Sequence, residues 1–152
     1  MNEFINQKKL IVKSPETWEE FDKYCNLRWR ILRAPWNRPR HKIKHEINDK
    51  SIKLIACDEN RNVIGTGRAR FNSPNEAEIK SMAVEENYRG KGIGSKIISE
   101  LERRVKESTA EIIVINSRES AVDFYIKHNY KVMEKSYNIY GDLPHFKMLK
   151  EL

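Results

Sequence analysis

The 152-residue sequence has no long apolar run and only two cysteines. No stretch approaches the roughly 20 apolar residues of a membrane-spanning helix, so the sequence predicts no membrane association of that kind. The first residues lack the basic and then apolar pattern of a secretory signal. Cys25 and Cys57 show no metal-ligand spacing. We therefore expect both to be reduced core residues of a cytoplasmic protein that binds no metal.

The excess positive charge is confined to one segment. The formal net charge is +7, and residues 28–45 contain seven Lys or Arg and no acidic residue. Removing those seven from the 29 basic residues leaves 22, which equals the number of acidic residues. Such a segment indicates an anionic partner, which could be a phosphate-bearing cofactor, an acidic substrate or nucleic acid. A solvated basic loop without a ligand is the alternative.

The length and the three tryptophans predict one folded domain over residues 1–152. In its first half, a helix capped by Ser14, with Pro15 at its first position, follows a strand at Lys9–Lys13. Helical spacing places five residues on its buried face: Trp18, Phe21, Cys25, Trp29 and Leu32. Three strands then form an antiparallel meander: Ser51–Cys57, Val63–Phe71 and Glu76–Val84.

The second half alternates helices and strands. The predicted elements are a helix at Gly94–Lys106, a strand at Ile112–Ile115, a helix at Ser120–His128 and strands at Tyr130–Met133 and Phe146–Leu149. The apolar run Ile112–Ile115 is typical of a strand covered on both faces. The pattern predicts an α+β or α/β fold with a mixed, mainly antiparallel central sheet and helices on both of its faces.

A glycine-rich turn joins the third meander strand to the helix after it. It reads Arg89-Gly90-Lys91-Gly92-Ile93-Gly94 and is followed by Ser95. Glycines let the backbone approach a ligand closely, and the free amides at a helix start attract phosphate. Arg89 and Lys91 add full charges. No Walker A string occurs, and Ile97 stands where a dinucleotide-binding motif needs its third glycine. The turn therefore predicts a pyrophosphate site of another kind, with a turn that binds nothing as the alternative.

This turn closely resembles the acyl-CoA signature of the GNAT superfamily of N-acetyltransferases, Arg/Gln-x-x-Gly-x-Gly/Ala. Ala77–Val84 resembles the strand that leads into that signature. Ser120–Tyr130 resembles the later family element Ala-x-x-Phe-Tyr-x-x-x-Gly-Phe, and 141–148 the closing segment of one bacterial branch. Asn129 replaces the usual glycine, but asparagine tolerates the left-handed conformation of a helix end.

The resemblance implies how acetyl-CoA would bind. The strands that carry Met82–Val84 and Ile112–Ile115 would splay apart, with pantetheine between them and paired to the backbone of Met82 and Val84. The Met82 amide would hold the thioester oxygen and stabilise its developing charge. The residues of the turn would hold the pyrophosphate: Arg89, Gly90, Lys91, Gly92, Ile93, Gly94 and Ser95. Either Arg118 or Asn116 would be a further CoA contact.

Two side chains resemble the catalytic groups of the family. Glu78 would be the general base that deprotonates the amine, directly or through a water. Its alternative role is an exposed strand glutamate, with Glu76 on the same face. Tyr125 would be the acid that returns a proton to the CoA thiolate. Its alternative role is a core aromatic with a satisfied hydroxyl.

The expected reaction is acetyl transfer from acetyl-CoA to a primary amine, by direct attack in a ternary complex. The acceptor would be a small molecule or a peptide, and the basic segment favours an anionic one. Candidate acceptor-binding residues are Arg33, Arg38, Arg40 and His145. A non-enzymatic acyl-CoA-binding module is the alternative. Nucleic acid is disfavoured, because no known motif occurs and prolines interrupt the basic segment. Family members are often homodimers.

Overall fold

A seven-stranded mixed sheet forms the centre of the protein in the computed structural model, which describes residues 9–40, 49–136 and 143–152. Its strands are β1 (Ile11–Lys13), β2 (Ile52–Cys57), β3 (Val63–Ser73), β4 (Glu76–Val84), β5 (Ile112–Arg118), β6 (Lys131–Lys135) and β7 (His145–Glu151). They lie in the order β1-β2-β3-β4-β5-β7-β6. Only β4 and β5 pair in parallel; the other described pairs are antiparallel. The predicted sheet and its meander are confirmed.

In the described residues, three α-helices cover the two faces of this sheet: α1 (Trp18–Leu32), α2 (Ile93–Lys106) and α3 (Val122–Lys127). Alternate residues of β2 show which helix covers which face of the sheet. Leu54 and Ala56 belong to the large core that includes the apolar face of α2, whereas Ile55 and Cys57 pack with the buried face of α1. Since successive strand residues point to opposite faces, the two helices lie on opposite sides, as predicted.

Helix α1 begins later than the sequence pattern indicated. The predicted cap at Ser14 is wrong: Thr17 is the cap, and its hydroxyl accepts the Glu20 amide at 3.1 Å. Ser14 instead accepts a hydrogen bond from Arg104 on α2 at 2.7 Å. The later start also corrects the predicted buried face, because Trp18 is in the first turn and 71% exposed.

A bulge in β4 opens the sheet. Thr66 of β3 pairs with Ala83 but Arg68 pairs with Lys80, so β4 carries one extra residue. Ser81 absorbs it with a positive φ of 59°, and the buried Thr66 hydroxyl donates to the Ser81 carbonyl at 3.0 Å. β4 pairs with β5 only from Glu76 to Ile79. Beyond the bulge these two central strands are no longer paired, which confirms the predicted splay.

The end of α3 has the geometry expected for asparagine in place of glycine. Asn129 has a φ of 70°. The Asn129 amide donates to the Ile126 carbonyl at 3.0 Å, and the Tyr130 amide to the Tyr125 carbonyl at 3.1 Å. These two bonds form a Schellman motif, so the helix ends as it would with glycine.

Candidate active site

A cavity of about 260 Å³ lies where β4 and β5 splay apart. The described residues that line it come from five elements that are distant in sequence. Helix α1 contributes Arg28, Leu32 and Arg33; β4 contributes Glu78 to Met82; β5 contributes Ile115 to Arg118; Ala121 and Tyr125 at α3 and His145 at β7 complete it. The fold therefore brings Glu78, Met82, Asn116, Arg118, Tyr125, Arg33 and His145 of the predicted site together.

Helix α2 begins at the glycine-rich turn without a side-chain cap. Helix α2 has Gly92 as its cap, without a side-chain cap and without an acidic residue in its first turn. Helix α1 of the same chain has both, through Thr17 and Glu20. The first amides of α2 thus lack the partners that satisfy those of α1, and they carry the positive end of the helix dipole. A phosphate would satisfy both requirements.

The three glycines of the turn have different reasons to be glycine. Gly90 and Gly92 have positive φ angles of 76° and 82°, and an added Cβ would meet nothing within 4 Å at either. Their role is conformational, and the space beside them is open to a ligand. A Cβ at Gly94 would lie 3.2 Å from the Phe124 ring, so this glycine allows α2 and α3 to approach closely.

The polar side chains of the turn have defined partners. Arg89 Nε donates to the Val84 carbonyl at 3.1 Å, and the Lys91 ammonium lies 5.8 Å from the centre of the Tyr88 ring. Ser95 Oγ lies 3.0 Å from His128 Nε2. Because a carbonyl oxygen accepts two hydrogen bonds, the contact with Arg89 leaves Val84 able to pair with a ligand amide.

Glu78 is placed on the cavity wall by the alternation of β4. Its carboxylate is 15% exposed and forms a salt bridge with Arg70 at 3.2 Å. Asn72 Nδ2 donates to the same oxygen, Oε1, at 3.1 Å. The surroundings of the Glu78 carboxylate are therefore polar. An ionised carboxylate has about four acceptor sites, so Oε2 remains able to accept a proton through a water.

Tyr125 is 5% exposed and reaches the cavity from α3. Its ring packs edge-on against Phe124 and Tyr130. Its hydroxyl forms no hydrogen bond with another described residue. Burial raises the pKa of the Tyr125 phenol above its usual value, so the hydroxyl keeps its proton at neutral pH and can donate it.

Comparisons with known proteins identify the family of the chain. Residues 21–130, more than half of the chain, match the model of the Acetyltransferase (GNAT) family. The chain belongs to the GNAT family. It is 27% identical over 115 residues to the uncharacterized N-acetyltransferase YjcF of Bacillus subtilis (strain 168), covering 76% of this chain and 81% of that protein. It is 31% identical over 106 residues to the uncharacterized protein YyaT of the same strain, covering 70% of each.

Solved structures share the GNAT fold. An aminoglycoside 6'-N-acetyltransferase complexed with coenzyme A has a TM-score of 0.79 and 18% identity, covering 93% of this chain and 96% of that chain. A chain of the NatC complex bound to Gag peptide and CoA has a TM-score of 0.80 and 19% identity, covering 95% of this chain and 99% of that one.

Family membership establishes the activity in general terms. The protein is a GNAT N-acetyltransferase, and acetyl-CoA is its co-substrate. Within the described ranges, no group of His, Cys, Asp or Glu could hold a metal ion. None of the helices described is long and apolar enough to cross a membrane.

Asn116 and Arg118, the two rival CoA contacts of this GNAT protein, differ in their surroundings. Arg118 Nη2 donates to the Leu32 carbonyl at 2.6 Å, and its guanidinium lies 4.4 Å from the centre of the Trp36 ring. Arg118 thus ties β5 to the end of α1. The Asn116 Oδ1 atom is buried at the cavity and has no hydrogen-bond partner in the described structure. A buried carbonyl oxygen without a partner is costly, so it favours a ligand N–H at that point.

His145 is a neutral group at the cavity. It is 4% exposed, and its Nδ1 lies 3.0 Å from the Leu143 carbonyl. Since a carbonyl only accepts, Nδ1 carries the hydrogen and Nε2 of the neutral ring is an acceptor. Burial lowers the pKa of His145; Arg118 lowers it too, while the bond to Leu143 opposes this.

The predicted acceptor-binding arginines separate into two groups. Arg33 lines the cavity, and its Nε donates to the Pro39 carbonyl at 2.9 Å. Arg38 and Arg40 are exposed and do not line it. Arg40 lies 3.7 Å from Asp22 and 6.0 Å from the Trp29 ring. Their role in acceptor binding stays a prediction, and the part of the basic segment at 41–45 lies outside the described residues.

Sequence reasoning missed two cationic wall residues, Arg28 and Lys80. Both were visible in the periodicity. Arg28 stands one helical turn after Tyr24 and Cys25, on the buried face of α1, and is 6% exposed. Lys80 stands two residues after Glu78 and so faces the same side of β4.

Proposed function

We propose that the protein transfers the acetyl group of acetyl-CoA to a primary amine by direct attack in a ternary complex. The β4 bulge at Ser81 carries this proposal, because it unpairs β4 from β5 and creates a cavity beside an anion-binding turn. The unpaired edge of β4 offers backbone groups for pantetheine, and Glu78 and Tyr125 line the space that follows.

The donor would be held by contacts along its whole length. Its pyrophosphate would lie at the turn Arg89–Ser95, where α2 begins without a cap. Pantetheine would pair with Met82 and Val84, and the orphaned Asn116 Oδ1 would accept one of its amide hydrogens. The Met82 amide would then hold the thioester oxygen, where an oriented donor stabilises the charge that develops during attack.

The chemistry requires three proton transfers. The acceptor ammonium would lose a proton to Glu78 through a water, since Arg70 and Asn72 occupy Oε1. The neutral amine would attack the thioester carbonyl, forming the N–C bond as the C–S bond breaks. Tyr125, whose raised pKa keeps its proton available, would give that proton to the departing sulfur. The second proton that the nitrogen loses as it becomes an amide would return to the Tyr125 oxygen, so the amide, the thiol and the phenol are all neutral. Neither Cys25 nor Cys57 lines the cavity, which supports transfer without an acyl-enzyme.

The acceptor would be a small molecule or a peptide with an anionic group. The two solved neighbours described above include an aminoglycoside acetyltransferase and a complex bound to a peptide, so the fold accommodates either class. Arg33 at the cavity supports an anionic acceptor. We further propose a homodimer that works in the cytoplasm, where Cys25 and Cys57 would stay as free thiols.

The test measures CoA release from acetyl-CoA with a panel of primary amines, together with CoA binding by calorimetry. We expect amine-dependent release in the wild type. Tyr125→Phe should lower kcat by about 10²–10⁴-fold, and Glu78→Gln should act similarly, while both still bind CoA. Tyr125→Phe should leave the melting temperature nearly unchanged, because the hydroxyl has no described partner. CoA binding without release for any amine would instead support the non-enzymatic binding module.

A further inference from the structure

The side chains of Ser95 and His128 join the start of α2 to the end of α3. Ser95 Oγ lies 3.0 Å from His128 Nε2. The centre of the His128 ring lies 4.8 Å from that of Phe124, and Phe124 packs against α2 so closely that a Cβ at Gly94 would be 3.2 Å from it. Packing between the two helices therefore holds the imidazole beside the glycine-rich turn.

Ser95 belongs to the part of α2 that would hold the pyrophosphate. The Lys96 amide donates to the Gly92 carbonyl at 3.1 Å and closes the first turn of the helix, so Ser95 stands just before that bonded amide. Side chains of a helix tilt toward its N-terminus, which places the Ser95 hydroxyl on the side of the proposed phosphate site. What this hydroxyl can offer a phosphate depends on its contact with His128.

The Ser95 hydroxyl has a single hydrogen, and its contact with His128 allows two arrangements. If the hydroxyl donates to Nε2, its hydrogen is used and Oγ offers a phosphate only lone pairs, which repel it. If Nε2–H donates to Oγ, the Ser95 hydrogen is free to donate to a phosphate oxygen. A bound phosphate should favour the second arrangement, and most strongly with the imidazolium, because that ring carries the opposite charge.

We infer that His128 is a positioning residue of the donor site, which donates to Ser95 and thereby orients the Ser95 hydroxyl toward a phosphate oxygen of acetyl-CoA. The inference rests on the proposed function and adds a residue to its donor site. Under it, binding of acetyl-CoA takes up a proton from the solvent at His128 wherever the ring of the free protein is neutral. A bond that only ties α3 to α2 would take up none.

The surroundings of His128 keep its ring neutral near pH 7 in the free protein. Burial lowers its pKa; Glu102 of α2 raises it, and Lys150 of β7 lowers it. Glu102 and Lys150 form a salt bridge with each other at 2.9 Å, so their effects on the ring oppose each other. Strand β6 also packs against α3, and the charged residues of these two elements are exposed: Asp123, Lys127, Lys131, Glu134 and Lys135. A phosphate at Ser95 would add a negative charge and should raise the pKa of His128 by about one unit.

The test is a calorimetric titration of the protein with dephospho-CoA between pH 7.5 and pH 5.5. This probe keeps the pyrophosphate but lacks the 3′-phosphate, whose second ionisation at about pH 6 would add its own pH dependence. We expect Kd to fall about fivefold over this range, since a pKa shift of one unit limits the change to about tenfold. Buffers with different ionisation heats should show proton uptake, and the imidazole NMR titration of His128 should shift upward when the probe binds.

Three variants separate this role from a structural one. His128→Gln keeps an N–H that can donate to Ser95 but cannot titrate, so its Kd should match the wild type within about twofold at pH 7.5 and stay constant down to pH 5.5. In a Ser95→Ala background, His128→Gln should change Kd at pH 5.5 by less than about twofold. Lys127→Gln, which removes an exposed cation of the same helix, should keep the fall in Kd.

Three results would overturn the inference: a wild-type Kd that does not change with pH, a fall that survives His128→Gln, or an equal effect of His128→Gln with and without Ser95. Each would leave the proposed acetyl transfer intact, because CoA release with amines is measured separately. A protein that binds neither CoA nor dephospho-CoA at any of these pH values would instead overturn the proposed function.

Discussion

A single methyl group added at Gly67 should disturb both the fold and the active site. An added Cβ would lie 2.5 Å from Ile97 Cγ2, 2.8 Å from Met82 Sδ and 3.0 Å from Leu101 Cδ1. Ile97 and Leu101 are fully buried, so neither can move freely. Overpacking of this kind costs about 1–3 kcal/mol, and the lower entropy of the unfolded chain returns about 0.4–1 kcal/mol. Gly67→Ala should therefore lose about 1–2 kcal/mol of unfolding free energy, or roughly 2–8 °C of melting temperature.

A double-mutant cycle in urea tests the cause. Ile97→Ala alone should cost about 2–5 kcal/mol, because it leaves a cavity. In the double variant the Gly67→Ala methyl enters that space, so the combined loss should be smaller than the sum by about 1 kcal/mol or more. Additive losses would refute the proposed clash. So would a Gly67→Ala variant as stable as the wild type.

Acetyltransferase activity provides a second test of the Gly67→Ala variant. Gly67→Ala pushes on Met82, whereas a Cβ at Gly65 would lie 2.8 Å from Ile97 Cδ1, 3.0 Å from Ile93 Cγ2 and 3.5 Å from Ala56 Cβ, with Met82 farther away. Gly67→Ala should therefore lower kcat/KM more than Gly65→Ala, measured well below both melting temperatures. Equal activity of the two variants would show that the position of Met82 does not matter for transfer.

Three other changes probe separate parts of the molecule. Asn116→Ala should raise the calorimetric Kd for CoA by up to about tenfold, because the Asn116 Oδ1 atom has no hydrogen-bond partner in the described structure and would accept one from CoA. Arg118→Gln should raise this Kd less. Glu102→Gln should lower the free energy of unfolding in urea by about 1–3 kcal/mol, because Glu102 Oε2 accepts hydrogen bonds from Tyr130 at 2.8 Å and from Lys150 at 2.9 Å. The control Glu107→Gln, which removes an exposed ion pair with Arg103, should change it little. Burial lowers the pKa of His128 and of His145, so the unfolded chain binds more protons than the folded chain below about pH 6.5. The free energy of unfolding should therefore fall as the pH is lowered through that range. His128→Gln should reduce the difference in melting temperature between pH 7 and pH 5.

The sequence predicted an element well wherever its hydrophobic periodicity and its flanking turn residues indicated the same boundary. The predicted Gly94–Lys106 helix differs by one residue from Ile93–Lys106, because its apolar stripe and its glycine turn mark the same start. The start of α1 was wrong because two capping signals compete within four residues. Ser14-Pro15 and Thr17 with Glu20 are both acceptable caps, and tertiary contact decides between them through the bond from Arg104 to Ser14.

The bulge at Ser81 had no signal of its own in the residue types. Serine is not a typical residue for positive φ, and the resemblance implied the splay without naming the residue that absorbs it. Its cause is nonlocal: the Thr66 hydroxyl on the neighbouring strand holds the Ser81 carbonyl. The pairing of Arg70 with Glu78 likewise depends on the β3–β4 register, which the hydrophobic pattern alone does not specify.

The two halves of the site differ in how they are encoded. The proposed pyrophosphate site of the donor half is one contiguous stretch, Arg89–Ser95, so its glycines and its helix start can be recognised directly in the sequence. The proposed acceptor half is assembled from α1, β4, β5 and β7, which are distant in sequence, so its residues come together only after folding. In the sequence, Arg28 is one of seven basic residues in a single segment and has no feature that distinguishes it. In the structure it lines the cavity and donates a hydrogen bond to the buried Tyr24. Because the two proposed halves share few residues, we expect substitutions on α1 to change the preferred acceptor while CoA binding is kept.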